Sequence, residues 1–236
     1  MFQFKQFAVR QDKTAMKVGT DGVLLGVWTP LPDSVFSILD IGTGTGLVAL
    51  LLAQRSSAQQ IDALEIDEDA YEQAVENFEE SPWNDRLFCY HAGLDEFTDE
   101  IEDRYDLIVC NPPYFKPNNL IDDKARSKAR FYDILPFEEL MKGASVLLAQ
   151  NGIFSVIIPF EEEKHFLELA RNESLFPLKI TRVKGTPTTK IKRSLIAFSK
   201  KTKEGEATEN TLVLELERHH YTPEFAAMVK DFYLRM

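Results

Sequence analysis

The sequence contains only two cysteines, Cys89 and Cys110, among its 236 residues. Two cysteines are too few for the disulfide framework of a small secreted protein, and both lie in apolar, strand-like runs. The first residues also lack the apolar core and small-residue cleavage site of a secretory signal peptide. We therefore expect two buried, reduced thiols and a cytoplasmic location.

A long apolar run is also missing. The longest uncharged stretch, residues 143–160, is interrupted by Gln150-Asn151-Gly152, a composition typical of a turn between a helix and a strand. Such a stretch does not span a bilayer, so we expect no membrane association. The four histidines do not have the spacing of metal ligands, and we expect no metal.

What the sequence does contain is alternation. From Ser37 onward, short β-branched runs alternate with longer runs of helical periodicity, which is typical of a mostly parallel sheet with helices on both faces. After Ser174 two strand-like runs follow each other with no helix between them, which predicts an antiparallel edge. Seven strand-like runs can be counted, and "TLVLELER" is a candidate for a further edge strand.

These patterns predict an α/β fold, a doubly wound, mostly parallel seven-stranded sheet with an antiparallel C-terminal edge. "TPEFAAMVKDFYLRM" predicts a closing helix, with Thr222 as N-cap and Pro223 at the first helical position. We expect a single domain over residues 1–236. It consists of an N-terminal segment (1–36), a ligand-binding core (37–174) and a hairpin with the closing helix (175–236).

A glycine-rich turn lies where the first core strand becomes a helix, with the pattern Asp40-x-Gly42-x-Gly44-x-Gly46. Glycines there let the backbone approach a ligand and place amide donors at a helix N-terminus. Glu65, 19 residues beyond Gly46, ends the next predicted strand, where an acidic side chain can bind ribose hydroxyls. The turn predicts a nucleotide-like cofactor and leaves a nicotinamide dinucleotide as the alternative.

Asn111-Pro112-Pro113-Tyr114 follows another predicted strand directly. Carboxyl ends of parallel strands meet at one edge of the sheet, so this turn should face the glycine turn. The prolines stiffen the segment and can aim the Pro112 carbonyl into the cleft, while the Asn111 side-chain oxygen is a second acceptor. Two acceptors and an aromatic ring form a receptor for a planar amine or amide.

These two motifs carry a family resemblance. The glycine turn resembles the first motif of class I S-adenosylmethionine-dependent methyltransferases, and Asn-Pro-Pro-Tyr resembles the signature of amino-group N-methyltransferases. Further blocks at residues 4–28, 81–83, 194–199 and 232–236 are similar to the bacterial tRNA(Val) (adenine-37-N6)-methyltransferase family. The resemblance covers essentially the whole chain. It implies a Rossmann-like fold, S-adenosylmethionine as cofactor, tRNA as partner and methylation of adenine N6.

The resemblance and the motifs together nominate site residues. The catalytic candidates are Asn111, Pro112 and Tyr114. The candidates for cofactor binding are Asp40, Gly42, Gly44, Gly46, Glu65, Gly93, Leu94, Asn111, Thr20 and Asp21. The candidates for substrate binding are Phe115, Lys124, Arg126, Arg130, Lys192 and Arg193, with Lys128 beside them.

Two of these nominations leave alternatives. Gly93 stands where many class I methyltransferases have an aspartate that contacts the cofactor adenine, so Asp95 or a backbone amide would have to replace it. Gly19-Thr20-Asp21 is expected to lie against the cofactor as a lid, but Thr20 or Asp21 equally suits an N-cap for the apolar helix that follows.

Charge is unevenly distributed along the chain. The net charge is −11, yet residues 179–203 contain nine Lys and Arg and no acid, and residues 1–20 and 116–130 are also basic. Such segregation predicts a phosphate-binding face, with a solvated charged hairpin as the alternative.

Other functions remain to be weighed against methylation of tRNA. Another RNA adenine or a glutamine amide presents the same planar amine. The short stretch before Asp40 disfavours the glutamine methyltransferases of release factors, and there is no room for the recognition domain of a DNA adenine methyltransferase. A non-catalytic RNA-binding protein is the alternative outside that class.

Overall fold

The computed structural model describes residues 1–14, 16–113, 135–201 and 207–235. Several predicted site residues lie outside these ranges: Tyr114, Phe115, Lys124, Arg126, Lys128 and Arg130.

A small hairpin opens the chain, with strands β1 (Phe2–Gln3) and β2 (Ala8–Val9). The central sheet has the strands β3 (Ser37–Ile41), β4 (Gln60–Glu65), β5 (Leu87–His91), β6 (Tyr105–Cys110), β7 (Leu148–Pro159), β8 (Phe176–Lys184), β9 (Ile191–Ser199) and β10 (Thr208–Val213). A second hairpin, β11 (Glu215–Glu217) and β12 (His220–Tyr221), follows them.

The strand order in the central sheet is β10-β8-β9-β7-β6-β3-β4-β5. Strand β9 runs antiparallel to both of its neighbours, and every other pair is parallel. The predicted mostly parallel sheet with an antiparallel C-terminal region is thus confirmed. The sheet has eight described strands rather than seven, because the start of the "TLVLELER" run belongs to β10, which pairs with β8. The rest of that run contains β11 of the second hairpin.

Helices cover both faces of the sheet. They are α1 (Thr20–Trp28), α2 (Leu47–Arg55), α3 (Glu68–Glu79), α4 (Leu94–Glu100), α5 (Phe137–Leu147), α6 (Glu163–Asn172) and α7 (Pro223–Val229), with a 3₁₀ turn at Phe160–Glu162. One apolar core lies under α1, α2 and α7, and a second lies under α4, α5 and α6. The predicted capping of α7 is confirmed, since the Thr222 hydroxyl accepts a hydrogen bond from the Phe225 amide.

One turn prediction was wrong. Gln150-Asn151-Gly152 lies inside β7 rather than before it. The pairing register nevertheless breaks there, because Tyr105 faces Leu148 while Leu107 faces Ile153. The turn-forming residues therefore bulge out of a strand that continues on both sides. Among the described residues, no helix is long and apolar enough to cross a membrane.

Candidate active site

The glycine turn adopts backbone conformations that side chains disfavour. Gly42 and Gly44 have φ values of 69° and 58°, in the left-handed region. A Cβ added to either would meet nothing within 4 Å, because both residues face open space. Gly46 has φ 79°, but a Cβ there would collide with the Phe78 ring. Gly42 and Gly44 thus expose the backbone to a ligand, whereas Gly46 allows α3 to pack closely.

A cavity of about 480 Å³ opens beside this turn, at the carboxyl edge of the sheet. Glu65 lies in its wall and is fixed by backbone amides: one carboxylate oxygen accepts from Gly44 at 2.8 Å, and the other accepts from Ile66 and Asp67 at 2.9 and 3.0 Å. Burial raises the pKa of Glu65, while the three hydrogen bonds from backbone amides oppose that shift. The carboxylate therefore joins the turn to β4 and keeps lone pairs for hydroxyl donors.

Asp40 holds the same turn from beneath. Its carboxylate accepts a hydrogen bond from the Thr43 hydroxyl at 2.6 Å and from the Ala49 amide at 3.2 Å. Burial raises the pKa of Asp40 to about 7, and the nearby Glu65 charge adds to the rise. Asp40 also lines a second cavity, of about 360 Å³, on the other side of Gly42 and Gly44.

Asn111 lies where the two cavities meet, since it lines both of them. It follows the last residue of β6, which places it beside the glycine turn that follows the neighbouring β3. Its side-chain oxygen is buried and accepts no hydrogen bond from the described residues. A buried acceptor without a donor costs about 1–3 kcal/mol, so an atom of this kind points to a ligand that supplies the donor.

Gly93 and Leu94, which the sequence nominates for cofactor binding, line the larger cavity. Gly93 is the N-cap of α4. A Cβ at Gly93 would lie 2.6 Å from the Asp95 carboxylate, so that carboxylate already occupies the space of a side chain at position 93. Asp95 lines the cavity too, which favours it as the replacement for the missing aspartate.

The residues before α1 form a wall of the smaller cavity. Thr20 and Asp21 both line it, and their position against the cofactor as a lid stays a prediction. The alternative interpretation as N-cap was wrong, because Gly19 is the N-cap and no side chain bonds there. Asp21 instead accepts a hydrogen bond from Arg193 Nε on β9 at 2.9 Å.

Several cavity residues were missed by the sequence interpretation, among them Ile66 and Met16. Ile66 is 41% exposed although it directly follows Glu65, and it lines the larger cavity, as Leu94 does. Met16 lines both cavities and is also exposed. The position of Ile66 directly after Glu65 could have indicated that it lines the cofactor site. No sequence pattern indicated this for Met16.

Charge is less segregated in space than along the chain. Lys192 is exposed at the start of β9, as an RNA-binding residue would be. Arg193, in contrast, forms an ion pair with Asp21. Arg182 binds Glu163 and Glu209, and further ion pairs join Arg10 to Glu80 and Lys13 to Glu72 and Glu76. Several basic residues of the predicted RNA face therefore neutralise acids of the same chain.

The two cysteines have no nucleophilic role in this site. Cys110 is buried at the end of β6, and Cys89 is half-buried on β5. Burial raises the pKa of Cys89 to about 12 and that of Cys110 well above its ordinary value, so both thiols stay protonated. Across the described ranges, no cluster of His, Cys, Asp and Glu side chains could hold a metal ion.

Comparison with known proteins places this geometry in a family. Residues 23–169 match the family model described as "Methyltransferase small domain". A protein of Flavobacterium psychrophilum named tRNA1(Val) (adenine(37)-N6)-methyltransferase is 63% identical over 236 residues, covering 100% of both chains. A protein of the same name from Photorhabdus laumondii is 41% identical, covering 99% of this chain and 95% of the relative.

Solved structures show the same fold at low identity. A predicted O-methyltransferase from Agrobacterium tumefaciens aligns with a TM-score of 0.69 at 19% identity, covering 90% of this chain and 96% of the other. The glycopeptide N-methyltransferase MtfA, solved with S-adenosylmethionine, aligns with a TM-score of 0.56 at 11% identity, covering 78% and 99%. From its sequence and its site, the chain belongs to the methyltransferase small domain family and, within it, to the family of the tRNA1(Val) (adenine(37)-N6)-methyltransferases.

Proposed function

We propose that this chain transfers a methyl group from S-adenosylmethionine to the N6 amino group of adenine 37 in tRNA(Val). The observation that carries the proposal is the buried Asn111 oxygen, which lacks a hydrogen-bond donor among the described residues and lies between two cavities at the glycine turn. An adenine amino group is the donor that this oxygen suits. The names of full-length relatives support the same substrate.

The residues present fit the cofactor. Gly42 and Gly44 leave room against the backbone that any Cβ would fill, and Glu65 offers lone pairs to ribose hydroxyls. Ile66 and Leu94 provide apolar walls for the adenine ring of the cofactor. The Asp95 carboxylate can accept a hydrogen bond from the amino group of that ring. Bound there, S-adenosylmethionine supplies a methyl group already activated by the sulfonium charge.

The protein then has to orient a weak nucleophile. The amino nitrogen of adenine is poorly nucleophilic because its lone pair is delocalised into the ring. The amino group donates one hydrogen bond to the Asn111 side-chain oxygen and, as predicted from the sequence, another to the Pro112 carbonyl. These two hydrogen bonds favour a geometry in which the nitrogen lone pair faces the methyl group. Holding the two reactants in line supplies most of the rate, and the transfer needs no nucleophilic side chain. The amino proton leaves to solvent after transfer.

Glu65→Ala tests the cofactor half of this proposal. Loss of a charge-assisted hydrogen bond to the ribose, worth about 1.5–3 kcal/mol, should weaken binding of S-adenosylmethionine about tenfold or more in calorimetry. Glu68→Ala, which removes an exposed carboxylate at the start of α3, is the matched control and should bind normally. Equal affinities for the two variants would contradict the assignment of Glu65.

The substrate half is tested with tRNA transcripts. The purified chain should methylate a tRNA(Val) transcript with adenine at position 37 and leave the transcript with guanine at that position unmodified, as mass spectrometry of the nucleosides would show. Methylation of a glutamine-containing peptide with no reaction on the tRNA would establish the alternative amide substrate instead.

A further inference from the structure

Backbone groups of the segment that precedes α1 form hydrogen bonds with side chains of α3. We name residues 10–14 and 16–18 the strap. The Arg10 amide donates to Asn77 Oδ1 at 2.7 Å, and Asn77 Nδ2 donates back to the Arg10 carbonyl at 3.0 Å. Gln73 Oε1 accepts from the amides of both Asp12 and Lys13, at 2.9 and 3.0 Å. Two amide side chains thus hold a stretch of chain that has no regular structure of its own.

These two amides are unusual in their burial. Gln73 is 0% exposed and Asn77 is 1% exposed, and amide side chains are rarely so buried. Apolar packing of α3 is provided by other residues, chiefly Ala74 and Phe78. Gln73 and Asn77 therefore do not contribute to the apolar packing of α3. Apart from a hydrogen bond between Gln73 and Glu76, their side chains form hydrogen bonds with backbone groups outside α3.

Asn77 also reaches the glycine turn. Its Nδ2 donates a second hydrogen bond to the Thr45 carbonyl at 2.8 Å. One side chain therefore ties the strap directly to the turn that lies against the cofactor site. A displacement of the strap and a displacement of the turn are coupled through this single amide.

The strap continues from these anchors across the site. Thr14 and Met16 line the larger cavity, and Met16, Lys17 and Val18 line the smaller one. The strap is also closed on itself, since the Val18 amide donates to Gln11 Oε1 at 2.8 Å. The part that covers the site is therefore held by the part that is bound to α3.

We infer that Gln73 and Asn77 are positioning residues that hold the strap over the bound cofactor and so set how fast the cofactor leaves. The inference rests on the proposed cofactor site. The strap forms part of the wall of both cavities, and Thr14 and Met16 border the larger one, where the cofactor is proposed to bind. A strap without its anchors would open that side of the cavity.

The experiment compares Gln73→Leu and Asn77→Leu with the matched control Gln54→Leu. Gln54 is an amide of α2 that donates to the Asp231 carbonyl at 3.0 Å and lines neither cavity. The measurements are the dissociation rate of radiolabelled S-adenosylmethionine in a chase, the cofactor KM, and kcat with both substrates saturating. Each of these two variants should release cofactor about tenfold faster and raise the cofactor KM similarly, with kcat within about twofold of wild type. The reason is that each removes two hydrogen bonds to the strap, and Asn77→Leu also removes the one to Thr45. Gln54→Leu should match wild type in all three.

Two further variants separate positioning from folding. The double variant Gln73→Glu with Glu76→Gln keeps an acceptor for the Asp12 and Lys13 amides and exchanges the roles of the neighbouring pair. It removes the exposed ion pair of Lys13 with Glu76, which contributes little, and leaves that of Lys13 with Glu72, so it should restore slow dissociation. Asn77→Asp keeps the shape but faces the Arg10 and Thr45 carbonyls with an acceptor, so it should dissociate cofactor as fast as Asn77→Leu.

Hydrogen exchange shows the strap itself. In wild type, bound cofactor should slow exchange of the Arg10, Asp12, Lys13 and Val18 amides, and Gln73→Leu should abolish that protection. Cofactor dissociation as slow in Gln73→Leu and Asn77→Leu as in wild type would overturn the inference. Failure of wild type to bind S-adenosylmethionine at all would instead overturn the proposed function, so the two failures are distinguishable.

Discussion

At the scale of single residues, the atom that matters most is the side-chain oxygen of Asn111. We predict that Asn111→Ala lowers kcat by at least about a hundredfold while the affinity for S-adenosylmethionine changes little, because the missing acceptor would have engaged the amine of the substrate. Single-turnover methylation of tRNA and calorimetry of the cofactor measure the two effects. Asn84→Ala, at an exposed asparagine, should retain full activity. Wild-type turnover by Asn111→Ala would remove this residue from the mechanism.

Asp40 gives the site a pH dependence that can be measured as stability. Because its pKa is raised from 3.8 to about 7 in the folded protein, the folded state holds a proton that the unfolded state has released between those values. Its contribution to stability is therefore fully present below about pH 4 and disappears as pH rises through 7, at about 1.4 kcal/mol for each pH unit. Asp40→Asn keeps the acceptor for Thr43 and Ala49 but cannot ionise.

We accordingly predict that the free energy of unfolding of wild type falls relative to that of Asp40→Asn between about pH 5 and pH 7. Urea unfolding of both proteins at these two values gives the comparison. Parallel pH profiles for the two proteins would show that Asp40 is ionised throughout.

The sequence predicted those cavity residues that belong to short contiguous motifs. The glycines, Glu65 and Asn111 were identified because a turn and its neighbours are contiguous in the chain, and all but Gly46 line the cavities. The ion pair between Asp21 and Arg193 could not be predicted, because those residues are 172 positions apart and no motif joins them. Gln73 and Asn77 were equally invisible, since both read as polar positions on an exposed helix.

At the scale of elements, periodicity predicted every strand of the central sheet but not the smaller pieces of the fold. Helix α4 was missed, because "LDEFTDE" buries only Leu94 and Phe97 and reads as an acidic loop. Strands β1 and β2 were missed because two residues carry no alternation. Pairing partners far apart in the chain decide such short elements, whereas longer elements carry the pattern within themselves.

The hairpin of β8 and β9 remains the element predicted to meet RNA. Lys192→Glu should weaken tRNA binding and reduce the salt slope by about one unit, because it removes one phosphate-binding cation, with cofactor affinity unchanged. Arg104→Glu, a charge reversal at an exposed position directly before β6 and outside the three basic windows, is the control and should leave the salt slope as in wild type. Filter binding across a salt titration measures both, and identical slopes would place the RNA elsewhere.

Arg193→Glu should behave differently from Lys192→Glu. Because Arg193 binds Asp21 beside the smaller cavity, its reversal places two negative charges together and disturbs the wall formed by residues 16–22. We predict an increase in the cofactor KM in addition to weaker tRNA binding, although the sequence nominated Arg193 for substrate binding only. A cofactor KM equal to that of wild type would show that the ion pair does not support this wall.

At the scale of the whole molecule, the two ends of the described chain pack together. Phe4 is fully buried between Phe7 and Tyr233, with ring centroids 4.7 and 5.7 Å away. We predict that Phe4→Ala lowers the free energy of unfolding by about 3–5 kcal/mol, as for other buried aromatic residues. Phe36→Ala, which removes an exposed ring, should cost less than about 1 kcal/mol. Urea titrations of the two variants give the comparison, and equal destabilisation would contradict the role of the cluster.

The packing of these two segments has a consequence for the order of biosynthesis. The Lys5 amide donates to the Phe232 carbonyl, its side chain donates to the Lys230 carbonyl, and the strap begins only a few residues later. A ribosome makes Lys5 long before it makes Phe232. The segment around Lys5, which leads into the strap, therefore has no partner at Phe232 until that late residue has emerged. A nascent chain can fold its glycine turn and bind the strap to α3 early, but the segment that leads into the strap is fixed only after the last residues are made.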